Sequence, residues 1–348
     1  VKAITIPKYG APDVLEVRTH PDPEPGEREV LVETRACGFN FAELMARQGL
    51  YEDAPAPPCV VGYEASGGVK AVGKGVSRFE AGDHVVVSTR FGGHASVLCV
   101  DEKQVVSMPD GMTFEQAAAM PVNFLTAYHM ILHVAHLRGG ERILIHMAAG
   151  GVGTAAVQLA ETVGDVEIYG TASPSKHDLI RELGCDHPID YRSEDYEERV
   201  RALTDGEGVD VVLDPLGGPD WKKGYRLLRS VGRLVTFGFA NMFTGPTKNW
   251  LNILYQYIWT PSWDPLQLME DNKTVSGVNI GHLWDRRDLL REEMDAILEL
   301  YREGSIAPVI DSSFPFSRAD DAHRRMQNRE NTGKILLVPD QVYESDGS

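Results

Sequence analysis

The sequence predicts an α/β protein in which a Rossmann-type, doubly wound parallel sheet is joined to an antiparallel, barrel-like domain. Three observations carry this expectation. The stretch from Arg142 to Ala160 runs from a short apolar segment, through a turn of small residues, into a helical pattern. From about residue 124 to residue 283, strand and helix patterns alternate. Through residue 122, by contrast, short β-rich runs follow one another with turns between them and almost no helix.

Taken in order, the first strands are expected at 1–6, 14–19, 30–37, 67–72, 84–89 and 95–100. Pro21-Asp-Pro-Glu-Pro-Gly26, Val72-Gly-Lys-Gly-Val76 and Phe91-Gly-Gly93 punctuate them. One helix, 41–48, interrupts the series and is closed by Gly49. An amphipathic helix at 125–136 opens the second half. Strands at 143–147, 167–171, 187–190, 209–214 and 233–237 then alternate with helices at 154–162, 175–183, 196–204 and 221–228. A short helix at 265–270 precedes a sixth strand at 273–281, which should form a sheet edge. A periodic helix at 285–303, a strand near Val309, a helix at 318–327 and a last strand at 334–338 suggest a return to the first domain. The polar tail from Pro339 is expected to fray. These patterns divide the chain into 1–123 with 284–348 as one domain and 124–283 as the other.

A length of 348 residues accommodates two domains, and 43% hydrophobic with 24% charged residues is the balance of a soluble globular protein. No apolar run approaches the roughly 18 residues that span a bilayer, and no signal-peptide core is seen. A cytoplasmic protein without integral membrane insertion is expected. Cys37, Cys59, Cys99 and Cys185 are scattered with no C-x-x-C spacing, which fits free thiols and no structural zinc. The net charge of −17 disfavours nucleic acid and anionic membrane as partners, since both require a basic face.

In the glycine turn, Gly150, Gly151, Val152 and Gly153 lie where a backbone meets a pyrophosphate at a helix N-terminus. Ala148 stands where the first glycine of G-x-G-x-x-G belongs, so the loop alone is also compatible with a plain tight turn. The flanking strand and helix supply the context that the motif requires. The next strand ends Tyr169-Gly-Thr-Ala-Ser173, with no acid at its tip. A carboxylate there would bind a ribose 2′-hydroxyl and repel a 2′-phosphate. Its absence, with Lys176 within reach and Tyr191 closing the third strand, points to NADPH. Lys176 at a helix N-terminus is otherwise mildly unfavourable.

His129 and His133 are spaced i and i+4 on one helix and are a possible metal pair. No neighbouring carboxylate or cysteine completes a ligand set in the sequence, so a structural or pocket-lining role is expected and no metal is assigned. The stretch Trp250-Leu-Asn-Ile-Leu-Tyr-Gln-Tyr-Ile-Trp259 offers an apolar face as a cleft wall, a dimer patch or an interfacial membrane foot. Its lack of lysine and arginine counts against the last, and a cleft wall is favoured. Cys37 and Cys59 read as core thiols.

The layout resembles the medium-chain dehydrogenase/reductase superfamily over nearly the whole chain. Ala148-Ala-Gly-Gly-Val-Gly-Thr-Ala-Ala-Val-Gln is similar to the quinone oxidoreductase form of the loop. Gly170-Thr-Ala-Ser-Pro-Ser-Lys-His177, His187-Pro-Ile-Asp-Tyr191, Asp214-Pro-Leu-Gly-Gly218 and Leu44-Met-Ala-Arg-Gln-Gly-Leu-Tyr51 resemble the synaptic-vesicle membrane protein (vesicle amine transport) branch. The resemblance implies a GroES-like catalytic domain beside the Rossmann domain. Where zinc-dependent relatives place metal ligands, this chain has Asn40 and Tyr63, so it implies a zinc-free reductase of quinones or α,β-unsaturated carbonyl compounds. It also implies 2′-phosphate contacts from Ser173, Lys176 and Tyr191. Asn40 and Thr126 would lie near the nicotinamide, with Leu216, Phe239 and Asn279 along the cofactor. Asn40 just before a helix reads equally as an N-cap, and Thr126 equally as a plain helix residue.

Tyr51 aligns with a proton-donating tyrosine of related enoyl-thioester reductases, and Tyr63 is a second cleft candidate. Both read equally as packed aromatics. Alternative functions are a 2-enoyl-thioester reductase, for which no basic entrance is evident, and an NADPH-binding, non-catalytic vesicle- or partner-associated protein. Pairing of the sixth strand with its symmetry mate implies a homodimer.

Overall fold

The computed structural model describes residues 1–346 and builds them around three sheets. β1 (Lys2–Ile6) pairs antiparallel with β2 (Glu16–Thr19). β3 (Glu29–Phe39) buries Val30, Val32, Thr34 and Ala36 at alternate positions, the period of a half-buried strand. It runs directly into α1 (Phe41–Gln48), which Gly49 closes in a left-handed conformation at φ 66°. β4 (Cys59–Val60) pairs with β1. β5 (Glu64–Val72), β6 (His84–Ser88), β7 (Val97–Asp101) and β8 (Val105–Ser107) extend the antiparallel ladder from β3. α2 (Phe114–Ala119), which the sequence reading passed over, packs on β3 and β5 and starts in a reciprocal Thr113–Gln116 capping box.

The expected single helix at 125–136 is two segments. α3 (Pro121–Tyr128) is α-helical, and His129–Val134 continues it as a π-helical turn. Strands and helices then alternate: β9 (Arg142–Ile145), α4 (Gly151–Val163), β10 (Glu167–Ala172), α5 (His177–Glu182), β11 (His187–Asp190), α6 (Tyr196–Leu203), β12 (Val209–Asp214), α7 (Pro219–Leu227) and β13 (Leu228–Thr236). α8 (Trp250–Ile258) and α9 (Pro265–Asp271) lead to β14 (Thr274–Gly277). The six strands are parallel, in the order β11-β10-β9-β12-β13-β14, so the chain reverses direction across the sheet between β9 and β12. Ligands of such sheets sit at that reversal, beyond the strands' C-terminal ends. Every residue of β12 is buried, as a central strand covered on both faces requires.

After α10 (Arg287–Arg302), β15 (Ile310–Pro315), α11 (Ala319–Gln327) and β16 (Lys334–Val338) bring the chain back to the first lobe, where β16 pairs with β3. β15 and β16 are parallel to one another, so the first lobe's sheet is antiparallel except for this returning pair. Through residue 346 the tail does not fray as expected, and residues 347–348 lie outside the described residues. Asp340–Asp346 forms α12, because the Asp340 carboxylate accepts the Ser317 N–H at 3.1 Å and Val342 packs on an apolar cluster with Leu336 and Val338.

α8 overturns the expected cleft wall. Leu251 and Tyr257 are 83% and 73% exposed, and among the described residues none of 250–259 lines the cleft. The helix lies outside the cleft because its buried position is polar, Gln256, rather than one of its aromatics. Among the described residues, no helix is long and apolar enough to cross a membrane.

Candidate active site

The glycine turn connects β9 to α4 at the reversal point of the parallel sheet. Its left-handed residue is Met147, at φ 54°, and not Ala148. Ala148 is fully buried, with Gly170 of β10 opposite: a Cβ on Gly170 would lie 2.9 Å from the Ala148 Cβ. The space that the missing loop glycine would have left is therefore supplied by the facing strand. Gly153 has no such latitude, since a Cβ there would sit 2.2 Å from the Met147 carbonyl oxygen. Gly151 faces Asn123, whose amide nitrogen would be 2.6 Å from an added Cβ. Asn123 lies against the loop by virtue of the fold, and nothing local in the sequence marks it.

The loop opens onto a single large cleft of about 1190 Å³ between the two lobes. Gly150 to Gly153 form its floor, with Thr126 beside them. Ser173, Lys176 and Tyr191 line one end, and Asn40, Tyr51 and Tyr63 line the wall supplied by the first lobe. Leu216, Phe239 and Asn279 line it from the ends of the later strands. The structure thus brings every candidate site residue read from the sequence into one cavity.

The Ser173 end has a feature invisible in the sequence. Lys176 Nζ donates to the carbonyl oxygens of Arg329 at 3.0 Å and Asn331 at 2.6 Å. The same returning segment donates from the Gly333 N–H to the Ala149 carbonyl at 2.8 Å, so residues 329–333 cross the phosphate loop. An ammonium has three donors, and two carbonyls leave one for a further acceptor. Burial is the largest influence on Lys176 and lowers its pKa, and its ammonium is held against the two carbonyls at the edge of the cleft.

At the other end a buried polar cluster joins the lobes. Lys334 Nζ bonds both the Glu64 carboxylate and, at 2.5 Å, Asn40 Oδ1. Asn40 Nδ2 donates to Glu64 at 2.9 Å, and the other Glu64 oxygen accepts the Val122 N–H at 2.7 Å. Asn40 does precede α1, with its own N–H bonded to Glu43 at 3.0 Å. It is the N-cap of α1 in a capping box with Glu43, and its side chain reaches Lys334, Glu64 and, at 3.3 Å, Glu43 as well. Burial pushes the Glu43 pKa up to about 8 against the opposing charge of Lys334, and pushes the His94 pKa down to about 4. Sequence reasoning missed Lys334 because it lies 294 residues from Asn40 and 270 from Glu64, whereas Glu43, three residues after Asn40, had a local signal in the Asn-x-x-Glu capping pattern.

Tyr51 and Tyr63 form a T-shaped pair with ring centroids 6.3 Å apart. The Tyr63 hydroxyl is buried without a hydrogen-bond partner. Burial raises both phenol pKa values, with the charges of Asp53 on Tyr51 and Glu43 on Tyr63 adding to the effect. Both phenols are therefore neutral donors at physiological pH.

The histidine pair corrects a further expectation. A carboxylate does complete it: Glu293 of α10 lies 2.7 Å from His129 Nδ1 and 3.7 Å from His133 Nδ1. Packing of α10 on α3 closes a sequence separation of 164 residues.

A first lobe that the chain leaves to build a parallel nucleotide-binding sheet, and to which it returns across the phosphate loop, defines a medium-chain dehydrogenase/reductase. The family models agree, matching an alcohol dehydrogenase GroES-like domain at residues 26–126 and a zinc-binding dehydrogenase at 183–337. The chain is 44% identical over 346 residues to the synaptic vesicle membrane protein VAT-1 homolog of Danio rerio, covering 99% of this chain and 71% of that protein. It is 38% identical to a quinone oxidoreductase of Pseudomonas aeruginosa, covering 97% of this chain and 99% of that one. The crystal structure of Escherichia coli quinone oxidoreductase complexed with NADPH superimposes with a TM-score of 0.85 at 30% identity, covering 97% and 100% of the two chains. The chain belongs to the quinone oxidoreductase family of the medium-chain dehydrogenases/reductases, near the VAT-1 homologs.

At Asn40 and Tyr63, where the resemblance read from the sequence places the metal ligands of zinc-dependent relatives, the donors are an amide and a neutral phenol, and the Lys334 ammonium already holds Asn40 Oδ1 and Glu64. A dication there would face a buried positive charge.

Proposed function

We propose that the chain binds NADPH and reduces quinones or α,β-unsaturated carbonyl compounds without a metal. The observation that carries this is one cleft lined at Ser173, Lys176 and Tyr191, with no carboxylate at the end of β10, and by the phenols of Tyr51 and Tyr63 on the first-lobe wall. When bound, NADPH supplies the hydride. Gly150 to Gly153 present the α4 N-terminus to the pyrophosphate. Leu216, Phe239 and Asn279 flank the cofactor, while Thr126 and the tethered Asn40 position the nicotinamide ribose. Residues 1–123 with 284–348 act as the catalytic lobe and 124–283 as the cofactor lobe, in the cytoplasm.

Hydride addition to the β-carbon of an enone leaves negative charge on oxygen. Tyr51 hydrogen-bonds that oxygen and gives up its proton, with Tyr63 packed beside it. Because its pKa is raised, Tyr51 reaches the reaction protonated. Tyr51→Phe is expected to lower kcat for enones by about 10²-fold while leaving the KM for NADPH unchanged. Unchanged turnover in stopped-flow NADPH oxidation would assign protonation to water instead. The function itself is tested by NADPH oxidation with a panel of quinones, enones and enoyl-thioesters beside fluorescence-detected NADPH binding. Tight binding without turnover on any of them would favour a non-catalytic role.

The edge strand β14 also supports a homodimer in which two such edges pair into one continuous sheet. Light scattering is expected to give twice the chain mass of 38.4 kDa; a mass of one chain at micromolar concentration would refute the dimer.

A further inference from the structure

We propose that His129, His133 and Glu293 form a binding site for one divalent transition-metal ion of the zinc type. The site lies away from Asn40 and Tyr63, the positions at which zinc-dependent relatives hold their metal. Its donors are two imidazole nitrogens and a carboxylate oxygen, all within 4.8 Å of one another. Both Nδ1 atoms approach the same Glu293 oxygen, but the rings stack with centroids 4.8 Å apart and planes inclined by 13°, so joint coordination requires the exposed His133 ring to turn its Nδ1 lone pair toward the ion.

A second observation is independent of that cluster geometry. Glu293 is 4% exposed, and its Oε2 is buried with no hydrogen-bond partner. A buried carboxylate oxygen left unsatisfied costs free energy, and a coordinated cation would remove that cost. Two nitrogens and one oxygen suit zinc and its first-row neighbours. Magnesium and calcium prefer oxygen-only shells. Three protein donors leave a fourth position for water, the arrangement of an open site rather than a closed structural one.

The surroundings suit entry and effect. The His133 side chain is half exposed, which gives an ion a path from solvent, whereas His129 is buried and lines the cleft. His129 begins the π-helical turn after α3, and Glu293 belongs to α10 of the returning segment. A bound ion would therefore pin that segment to the start of the nucleotide-binding lobe. Without metal, His129 Nδ1 and Glu293 Oε1 share a 2.7 Å hydrogen bond. Coordination through Nδ1 would need that nitrogen's lone pair, leaving Nε2 as the ring's N–H.

The test uses the whole chain after chelator treatment. Zinc is titrated by calorimetry and cobalt by visible absorption, for the wild type, His133→Asn, Glu293→Gln and the distant control His20→Asn. The expected result is one equivalent per chain, the intense absorption of low-coordinate cobalt, and a zinc-induced rise in thermal midpoint. His133→Asn and Glu293→Gln should each weaken binding by about 10–100-fold, and His20→Asn should leave it unchanged. His133 is exposed, so its variant decides the matter even where Glu293→Gln fails to fold. Uptake below one equivalent by the wild type, or equal binding by wild type and His133→Asn, would overturn the proposal.

Discussion

Replacing Lys334 with methionine is expected to destabilise the protein by about 3–5 kcal/mol, the usual cost of leaving one member of a buried ion pair without its partner. Lys334 and Glu64 are 2% and 0% exposed, so water cannot replace the lost ammonium. Two links fail together, because Lys334 holds both Glu64 and Asn40, and Glu64 is also the acceptor of the Val122 N–H at the start of α3. Glu43 also loses the charge that opposes its upward shift. Its folded pKa, already about 8 against an ordinary 4.5, lies above the unfolded value. The folded state therefore binds the extra proton between those limits, and stability falls as pH rises through that window. In Lys334→Met the fall should begin from a lower plateau and extend to higher pH.

Urea unfolding at pH 6 and pH 9 measures both effects. The double variant Lys334→Met/Glu64→Gln should recover much of the loss, since it removes the orphaned charge along with the pair. A single variant as stable as wild type would show that Glu64 is not ionised in the fold. The same substitution frees Asn40, so the refolded variant should also bind NADPH more weakly even where its secondary structure is intact.

What could be read from the sequence divides along the same line. The phosphate loop and the alternation of strands and helices were legible because their signals are local. A strand, a small-residue turn and a helix follow within about twenty residues, and β12 carries an apolar run, Val211 to Leu213, because both its faces are covered. The missing loop glycine was legible as a departure, but its compensation by Gly170 needed the facing strand. Lys334, Glu293 and Arg329 carry no local signal, since each reaches its partner only after the chain has returned to the first lobe. The aromatic segment misled for the opposite reason. Its composition promised burial, but a polar residue, Gln256, supplies the helix's inward contact and the aromatics face outward.

Lys176→Ala is expected to raise the KM for NADPH by about 10–100-fold and leave that for NADH nearly unchanged. The magnitude is that of one charge-assisted hydrogen bond, about 1.5–3 kcal/mol, with each 1.4 kcal/mol worth a factor of ten. Two of the lysine's donors are already spent on the Arg329 and Asn331 carbonyls, which aim the side chain and leave the third for the 2′-phosphate. That anchoring creates a competing explanation, because the substitution also loosens the segment crossing the phosphate loop. The two effects separate by ratio. A purely structural loss would weaken NADPH and NADH alike, since both carry the pyrophosphate that the loop receives. Loss of a phosphate contact changes only the preference between them. Ionic strength gives a second reading, because an attraction between a half-buried ammonium and a phosphate open to solvent is partly screened by salt. The wild-type KM for NADPH should therefore climb with added salt, and the variant's should climb less. Equal rises in both KM values on substitution would reduce Lys176 to a brace for the returning segment and leave the coenzyme preference to Ser173 and the uncharged end of β10.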